Sequence, residues 1–303
     1  MKETTRRTFL KASAAGGLAG AALTGGFFQT SNSEAEMFRG KIKKSLYYGM
    51  LPESLSIGEK FRLAKGIGFE GIEVPTIEES GTAGEMKAAA QKSGLKIHSI
   101  MNMKHWGNPF SSDDPEVIKV GMKGMETSLH NAKDFGADTV LLVPAVVNAE
   151  TSYKDAYIRS QKHIKELLPL AEELKVIIAV ENVWNKFLLS PLEFARYVDE
   201  FDSPYLQAYF DCGNIALYGF PHDWIRTLGK RIVKVHIKGF DVGKKEFPNL
   251  GDGTIDWPEI RRAFSDIGYS GYMSAELRGG DEAYLRDVSG RMDKIIAGQK
   301  IHQ

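Results

Sequence analysis

The sequence predicts a single-domain α/β fold, a (β/α)8 TIM barrel, and three observations carry that expectation. Short apolar runs rich in β-branched residues alternate with helical patterns eight times from residue 36 onward. The last four runs each break off at a polar residue: Val176 to Val180 at Glu181, Tyr209-Phe210 at Asp211, Ile232 to Val235 at His236, and Tyr272 to Ala275 at Glu276. Those four residues are 30, 25 and 40 positions apart, each interval close to one strand-plus-helix unit. A strand buried on both faces behaves in this way when it emerges at a rim, and a parallel barrel carries every strand's C-terminal end to the same face.

Taken in order, the first strand is Lys44 to Met50, followed by a helix from Ile57 to Gly66. Phe69 to Val74 forms the second strand, stopped by Pro75, and Ala83 to Ser93 the second helix. The third strand, Leu95 to Met101, leads into a long loop through His105, Trp106 and Asn108. Pro115 after Asp114 suits a first helical turn, where a missing N–H costs nothing, and the third helix continues to Phe135. Ala137 to Val143 is the fourth strand and Asp155 to Leu174 the fourth helix. After the fifth strand, Ser190-Pro191-Leu192-Glu193 opens a helix with a Ser cap, Pro just inside and Glu three residues on. The sixth strand ends at Asp211 and the seventh at His236, with a short helix from Asp223 to Gly229 between them. Gly251-Asp252-Gly253 turns the chain, and Asp256-Trp257-Pro258-Glu259 starts the next helix, Trp257 serving as packing. The eighth strand ends in Glu276, and Asp281 to Ala297 is the last helix.

Residues 1–35 read differently. Arg6-Arg7, the following Thr8-Phe9-Leu10-Lys11 and a glycine-diluted apolar segment from Ala12 to about Phe28 resemble a twin-arginine export signal. So much glycine makes a poor helix in water, and the segment is too weakly apolar for a membrane span. Cleavage is expected between Gln29 and Ala35, leaving 36–303 as the barrel domain. The resemblance implies delivery to the periplasm, already folded, by the twin-arginine translocase and without a stable membrane anchor. The one cysteine, Cys212, permits no internal disulfide and lies too far downstream to carry a lipid anchor. Balanced charge, 39 Lys and Arg against 39 Asp and Glu, offers no basic surface for nucleic acid. Monomer and homo-oligomer both remain open.

Two glutamates, an aspartate and a histidine at successive strand ends make a complete ligand set for one divalent metal. A single acidic residue at such a place is more often a helix cap, but four ligand types at the same end of the same kind of strand outweigh that reading. Three carboxylates and one imidazole suit Mn2+ or Mg2+ better than a thiolate-rich zinc site does, with Co2+ and Zn2+ as substitutes. Around this quartet, Glu73 and His98 stand near the ends of strands two and three, as pocket residues or as satisfied structural ones. His105 and Trp106 lie in the long loop on the same face and are candidates for a substrate lid. Lys238 and Arg278 come two residues past a ligand, where alternation points them the same way, and could bind a carboxylate, phosphate or oxyanion. Trp184 and Asn214 complete the substrate-binding candidates, and Trp106, Trp184 and Tyr218 could serve a carbohydrate as stacking platforms.

The phrases Val180-Glu181-Asn182 with Asn185-Lys186-Phe187, Phe210-Asp211-Cys212-Gly213-Asn214, Val235-His236-Ile237-Lys238, Gly251-Asp252-Gly253 with Asp256-Trp257, and Ala275-Glu276 resemble the xylose isomerase-like TIM barrels. That group includes sugar-phosphate isomerases and epimerases, hydroxypyruvate isomerases and ketose 3-epimerases. The resemblance implies one divalent metal on Glu181, Asp211, His236 and Glu276, with Glu181 and Glu276, on opposite sides of the barrel mouth, also moving the substrate proton. The implied activity is transfer of a proton α to a carbonyl, through an ene-diolate, on a ketose, keto-glycoside or hydroxypyruvate-like substrate. Two departures touch the substrate shell: Asn214 stands where ketose epimerases of the group carry His, and Gly239 and Phe240 precede Asp241 where an acidic residue comes sooner. A lyase or hydratase using the same enolate chemistry, and a non-catalytic carbohydrate-binding barrel, are the alternatives. An abasic-site endonuclease of this fold would need further His ligands, and here Asp241 is followed by Val242 and Gly243.

Overall fold

A computed structural model describes residues 42–299 and 301. The export signal expected over 1–35, with Arg6 and Arg7, lies outside the described residues. Eight parallel strands close in sequence order: β1 (Ile42–Tyr47), β2 (Gly71–Pro75), β3 (Lys96–Met101), β4 (Thr139–Leu142), β5 (Ile177–Glu181), β6 (Leu206–Asp211), β7 (Ile232–Ile237) and β8 (Gly271–Ala275), which pairs back onto β1. The helices are α1 (Ile57–Ile67), α2 (Ser80–Ser93), α3 (Pro115–Phe135), α4 (Tyr153–Leu174), α5 (Pro191–Asp199), α6 (Cys212–Ile215), α7 (Pro221–Leu228), α8 (Trp257–Asp266) and α9 (Glu282–Ile296). The chain is thus a single-domain (β/α)8 TIM barrel. No helix among the described residues is long and apolar enough to cross a membrane.

The unbroken apolar runs follow from burial on both faces. On β5, Ile178 and Val180 point outward into the layer shared with the helices, while Ala179 and Glu181 point inward. The outer layer, which includes Leu46, Ile72, Val140, Phe210, Val235 and Phe264, is the main core; each such side chain contributes roughly 1.5–3 kcal/mol through its removal from water. Inside the barrel the apolar filling is small, with Met101, Leu141, Ala179 and Tyr209 in contact. The rest of the interior is polar and buried, including Ser45, Glu73, His98, Lys234 and Ser274.

Local sequence sets the element ends. Ser56 and Glu59 close a reciprocal capping box on α1, and Asp114, with Pro115 behind it, caps α3. Ser190 caps α5 through the Glu193 N–H, but the Glu193 carboxylate accepts from the Tyr153 hydroxyl at 2.5 Å instead of closing a box. The boundaries differ from the sequence reading in several places, four of which have a clear local cause. Tyr48–Met50 forms a short 3-10 turn, not the end of β1. β2 starts at Gly71 because the Phe69 N–H is taken by the carbonyl of Ala64. α2 starts at Ser80 because Glu79 accepts from the Gly81 and Thr82 N–H groups. The one-turn α6, unexpected from sequence, forms because Asp211 caps it through the Asn214 N–H.

Candidate metal centre

Pairing places the four strand-end residues side by side. Glu181 is level with Tyr209, Asp211 with His236, and Ile237 with Ala275, so the ends of β5, β6, β7 and β8 form one arc. Glu276, one residue beyond β8, extends the ladder by donating its N–H to the Ile237 carbonyl at 3.1 Å. One ligand atom from each of Glu181, Asp211, His236 and Glu276 lies within 4.8 Å of the others. Among the described residues this is the one group of His, Cys, Asp and Glu so gathered. β5 and β8 are separated by two strands, so Glu181 and Glu276 face each other across the quartet and not across the full width of the mouth.

The imidazole shows which atom is free for a ligand role. His236 Nδ1 faces Glu181 Oε1 at 3.0 Å, Glu276 Oε2 at 3.5 Å and Asp211 Oδ2 at 4.0 Å. Its Nε2 lies 2.8 Å from Glu73 Oε1, and the Tyr209 hydroxyl donates to the other oxygen of Glu73 at 2.7 Å. With Nε2 turned to the Glu73 carboxylate, Nδ1 is the ring nitrogen that faces the three acids, the orientation in which metal-ligating histidines are held. Asp211 is fixed in the same manner. Its Oδ1 accepts from the Asn214 N–H at 2.7 Å, while Oδ2, fully buried, makes no hydrogen bond and faces the Lys238 ammonium at 3.0 Å. Three carboxylates and an oriented imidazole nitrogen form an oxygen-rich donor set that fits one hard divalent cation.

The electrostatics separate the two glutamates. Burial raises the Glu181 carboxyl to about 7, outweighing its hydrogen bond with His236. Burial would raise Glu276 as well, but His236 and Lys238 pull it down to about 2. Burial opposes the charge on His236, yet Glu73, Glu276 and Glu181 hold its pKa well above the ordinary value. Lys238 likewise overcomes burial through Asp211 and Glu276, whose Oε2 accepts from its ammonium at 2.5 Å. Gly213 makes room for this lysine: a Cβ there would meet Lys238 Cγ at 2.3 Å and its carbonyl at 3.0 Å.

The cavity over the quartet, about 230 Å³, is lined by Glu181, Glu276, Lys238, Asn214, His105 and Trp106, with Trp184, Phe247, Met101, Leu141 and Val183. His105 is buried and anchored, its Nδ1 accepting from the Val143 N–H, so of the two lid candidates Trp106 alone is exposed. Glu73 lies behind the quartet, where it orients His236, and does not line the cavity. His98 is also absent from the lining: its Nε2 faces the Ser45 and Ser274 hydroxyls inside the barrel, and its ring stacks on Tyr272. Arg278 is exposed and off the cavity because β8 stops at Ala275, beyond which strand alternation no longer applies. Tyr218 packs edge-on against Trp184 but stays outside the lining.

Sequence reasoning missed Asn182, Tyr209 and Phe247. Asn182 clamps β5 to β6, donating to the Asp211 carbonyl at 2.9 Å and accepting from its N–H at 3.0 Å; an amide directly after a ligand was the signal. Tyr209, two residues before Asp211, shares its inward face. Phe247 reaches Trp184 at 5.1 Å from a loop and had no signal. A wider surface groove of about 610 Å³, lined by Asp202, Pro204, Leu206, Gln207, Lys230 and neighbours, opens at the other end of β6, away from this chemistry.

Residues 61–295 match the family model for the xylose isomerase-like TIM barrel. The L-ribulose-5-phosphate 3-epimerase of Salmonella paratyphi A is 24% identical over 277 residues, covering 85% of this chain and 98% of the relative. The structure of apo 3-keto-D-glucoside 4-epimerase from E. coli matches with a TM-score of 0.70 at 18% identity, over 84% of this chain and 98% of that one. The D-psicose 3-epimerase of Clostridium cellulolyticum H10, solved with D-tagatose, matches with a TM-score of 0.70 at 18% identity, over 83% and 97%. At such identities the structural matches speak for the fold.

Proposed function

The chain belongs to the xylose isomerase-like TIM barrel family, and from that premise we propose that it is a carbohydrate epimerase or isomerase moving a proton α to a carbonyl. The observation that carries the reading is the quartet Glu181, Asp211, His236 and Glu276, gathered within 4.8 Å beneath a small cavity, with His236 oriented by Glu73. The relatives named above are sugar epimerases, which supports the substrate class. A divalent ion held by the four residues, Mn2+ or Mg2+ by donor type, would supply Lewis-acid stabilisation of the charge on adjacent substrate oxygens. This chain's own residues do the rest. Glu181 and Glu276 face each other across the quartet, so one takes the proton from carbon and the other, or a water it holds, returns it to the opposite face of the same carbon in an epimerisation or to the neighbouring carbon in an isomerisation. Their surroundings differ, Glu181 being buried beside His236 and Glu276 a quarter exposed beside Lys238, so the two carboxylates are not equivalent. Lys238, buried against both Asp211 and Glu276, places a positive charge beside the ene-diolate oxygens. We further propose that residues 1–35 export the folded enzyme to the periplasm.

The test is proton exchange. The purified chain with Mn2+ is incubated in deuterated water with a panel of ketoses, keto-glycosides and their phosphates, and loss of a carbon-bound proton signal is followed by NMR. Exchange that disappears on chelation supports the reading. No exchange into any member of the panel by the metal-loaded protein counts against it.

A further inference from the structure

We propose that the substrate is an unphosphorylated keto sugar carrying a second ring, a glycoside, with its reacting carbons at the quartet and its attached ring against Trp106, Trp184 and Phe247. The inference rests on the epimerase reading for the reacting end and on the cavity walls for the other. Those walls differ sharply from inside to outside. The charged groups that line the cavity, Glu181, Glu276 and Lys238, sit at the inner end with side chains 5%, 25% and 14% exposed, the Lys238 ammonium reaching to 5.5 Å from the Phe247 ring. The outer rim is aromatic, with Trp106 53%, Phe247 43% and Trp184 41% exposed.

The rim is also built, not incidental. Trp184 donates its indole N–H to the Asn214 carbonyl at 2.9 Å, and its ring packs on Phe240 at 5.7 Å and Phe247 at 5.1 Å. Trp106 is set edge-on to the buried ring of His105 at 5.8 Å. Rings fixed in this way can accept the apolar C–H face of a pyranose or an aryl aglycone with little loss of side-chain freedom. At about 230 Å³ the cavity is smaller than the roughly 300–1,000 Å³ of pockets for drug-sized ligands, so it suits one sugar unit. Whatever is attached to that unit projects onto the exposed rings.

Among the described residues that line the cavity, none at this outer end is a lysine or arginine that could pair with a phosphate. The cation lining the cavity, Lys238, is held 3.0 Å from Asp211 and 2.5 Å from Glu276, at the reacting end. TIM barrels that bind phosphate frequently do so in the loops after strands seven and eight and at the N-terminus of a short extra helix, and among the described residues no such helix lies between β7 and α8 or between β8 and α9. In this chain the N-terminus of α9 is already occupied by its own carboxylates: Asp281 accepts from the Tyr284 N–H at 2.9 Å, and Glu282 stands in the first turn. Two acids at that place would repel a phosphate.

The probes are D-fructose, D-fructose 6-phosphate and phenyl 3-keto-β-D-glucopyranoside, titrated calorimetrically into the full chain loaded with Mn2+. The phenyl keto-glucoside is expected to bind at least about tenfold tighter than fructose, and fructose 6-phosphate no tighter than fructose. Trp184→Ala and Trp106→Ala should each weaken glycoside binding several-fold more than fructose binding, with Trp106, the more exposed ring, giving the cleaner variant should Trp184→Ala disturb the fold. A phosphate preferred tenfold over the free sugar, or glycoside affinity untouched by both substitutions, overturns the inference. So does a dimer that the two variants dissociate without change in glycoside affinity, since the rings would then face a second copy. Deuterium exchange in the same samples separates the two readings. Exchange into the phosphate alone overturns this inference and leaves the epimerase standing, whereas tight, tryptophan-dependent glycoside binding with no exchange in any probe supports this inference and overturns the epimerase.

Discussion

Asp211 and His236 do not act alone, because each has one atom tied to the fold and one left pointing at the centre. Glu73 holds the imidazole by its far nitrogen, so Glu73→Gln should weaken metal binding about 10- to 100-fold without removing a ligand. His236→Ala should abolish tight binding, and calorimetric titration of chelator-treated protein compares the two; equal affinity in Glu73→Gln and the parent would remove Glu73 from this role. Glu181→Gln and Glu276→Gln should each cost turnover a hundredfold or more on whichever sugar shows exchange, in line with the usual contribution of a positioned acid or base. Near-normal turnover in either would take that residue out of proton transfer. His105 gives a pH signature of its own. Burial lowers its pKa to about 4, below the roughly 6.5 of an unfolded histidine, so the folded protein keeps it neutral while the unfolded chain takes up a proton. The stability it contributes is therefore complete above about pH 6.5 and is lost as pH falls toward 4, by up to about 1.4 kcal/mol per unit. His105→Gln should flatten this dependence by about 2 kcal/mol between pH 6.5 and 5 in urea denaturation, and identical pH profiles would show that other groups set it.

At the scale of elements, the strands were legible because burial on both faces writes continuous apolar runs, and their ends were legible where a ligand type broke the run. What lay between strands was less so. Lys186 and Leu188 both adopt left-handed backbone, at φ of 60° and 54°, in the loop that leaves Glu181. Contacts from distant residues hold them there: Asn185 donates to the Ala145 carbonyl, and the Leu188 N–H is received by the Tyr153 hydroxyl. No local pattern announces such a loop, which is why Asn185-Lys186-Phe187 could be matched as a phrase but not explained. The same holds for the segment after β7, which brings Phe247 back to the cavity. That return depends on Gly239, where a Cβ would meet three backbone carbonyls, of Asn249 at 2.5 Å, Pro248 at 2.8 Å and Asp252 at 3.1 Å. Gly239→Ala must push this loop outward, since no flexible side chain is available to yield. We expect a loss of about 1–3 kcal/mol in chemical denaturation, together with weaker sugar binding from the displaced Phe247. An unchanged midpoint would show that the loop moves freely and that its packing does not position the rim.

For the molecule as a whole, barrel closure turns four residues spread over nearly a hundred positions into one site, and this could be read in advance because closure is a property of the strand count and not of any single contact. Glu73, His98 and Arg278 could not be sorted in advance, because depth in a barrel depends on strand length and register: Glu73 meets Ser99 across an irregularity in pairing, and β8 ends three residues before Arg278. Residues 1–35 carry Arg6-Arg7 ahead of a glycine-diluted apolar stretch. Its apolarity is weak, so recognition should rest on the arginine pair, whose planar guanidinium groups offer fixed paired donors that a lysine ammonium does not. The barrel suits passage in the folded state, because its lone cysteine, Cys212, is buried and no disulfide has to form after transport. Replacing Arg6 and Arg7 together by Lys keeps the charge and the apolar stretch and removes only that geometry. The double variant should accumulate in the cytoplasm as uncleaved precursor, with the barrel folded, as fractionation and immunoblotting would show. Normal delivery of the double variant to the periplasm would mean that the segment is read for its hydrophobicity by a general secretory route, and the barrel would then have to fold and acquire its metal after export.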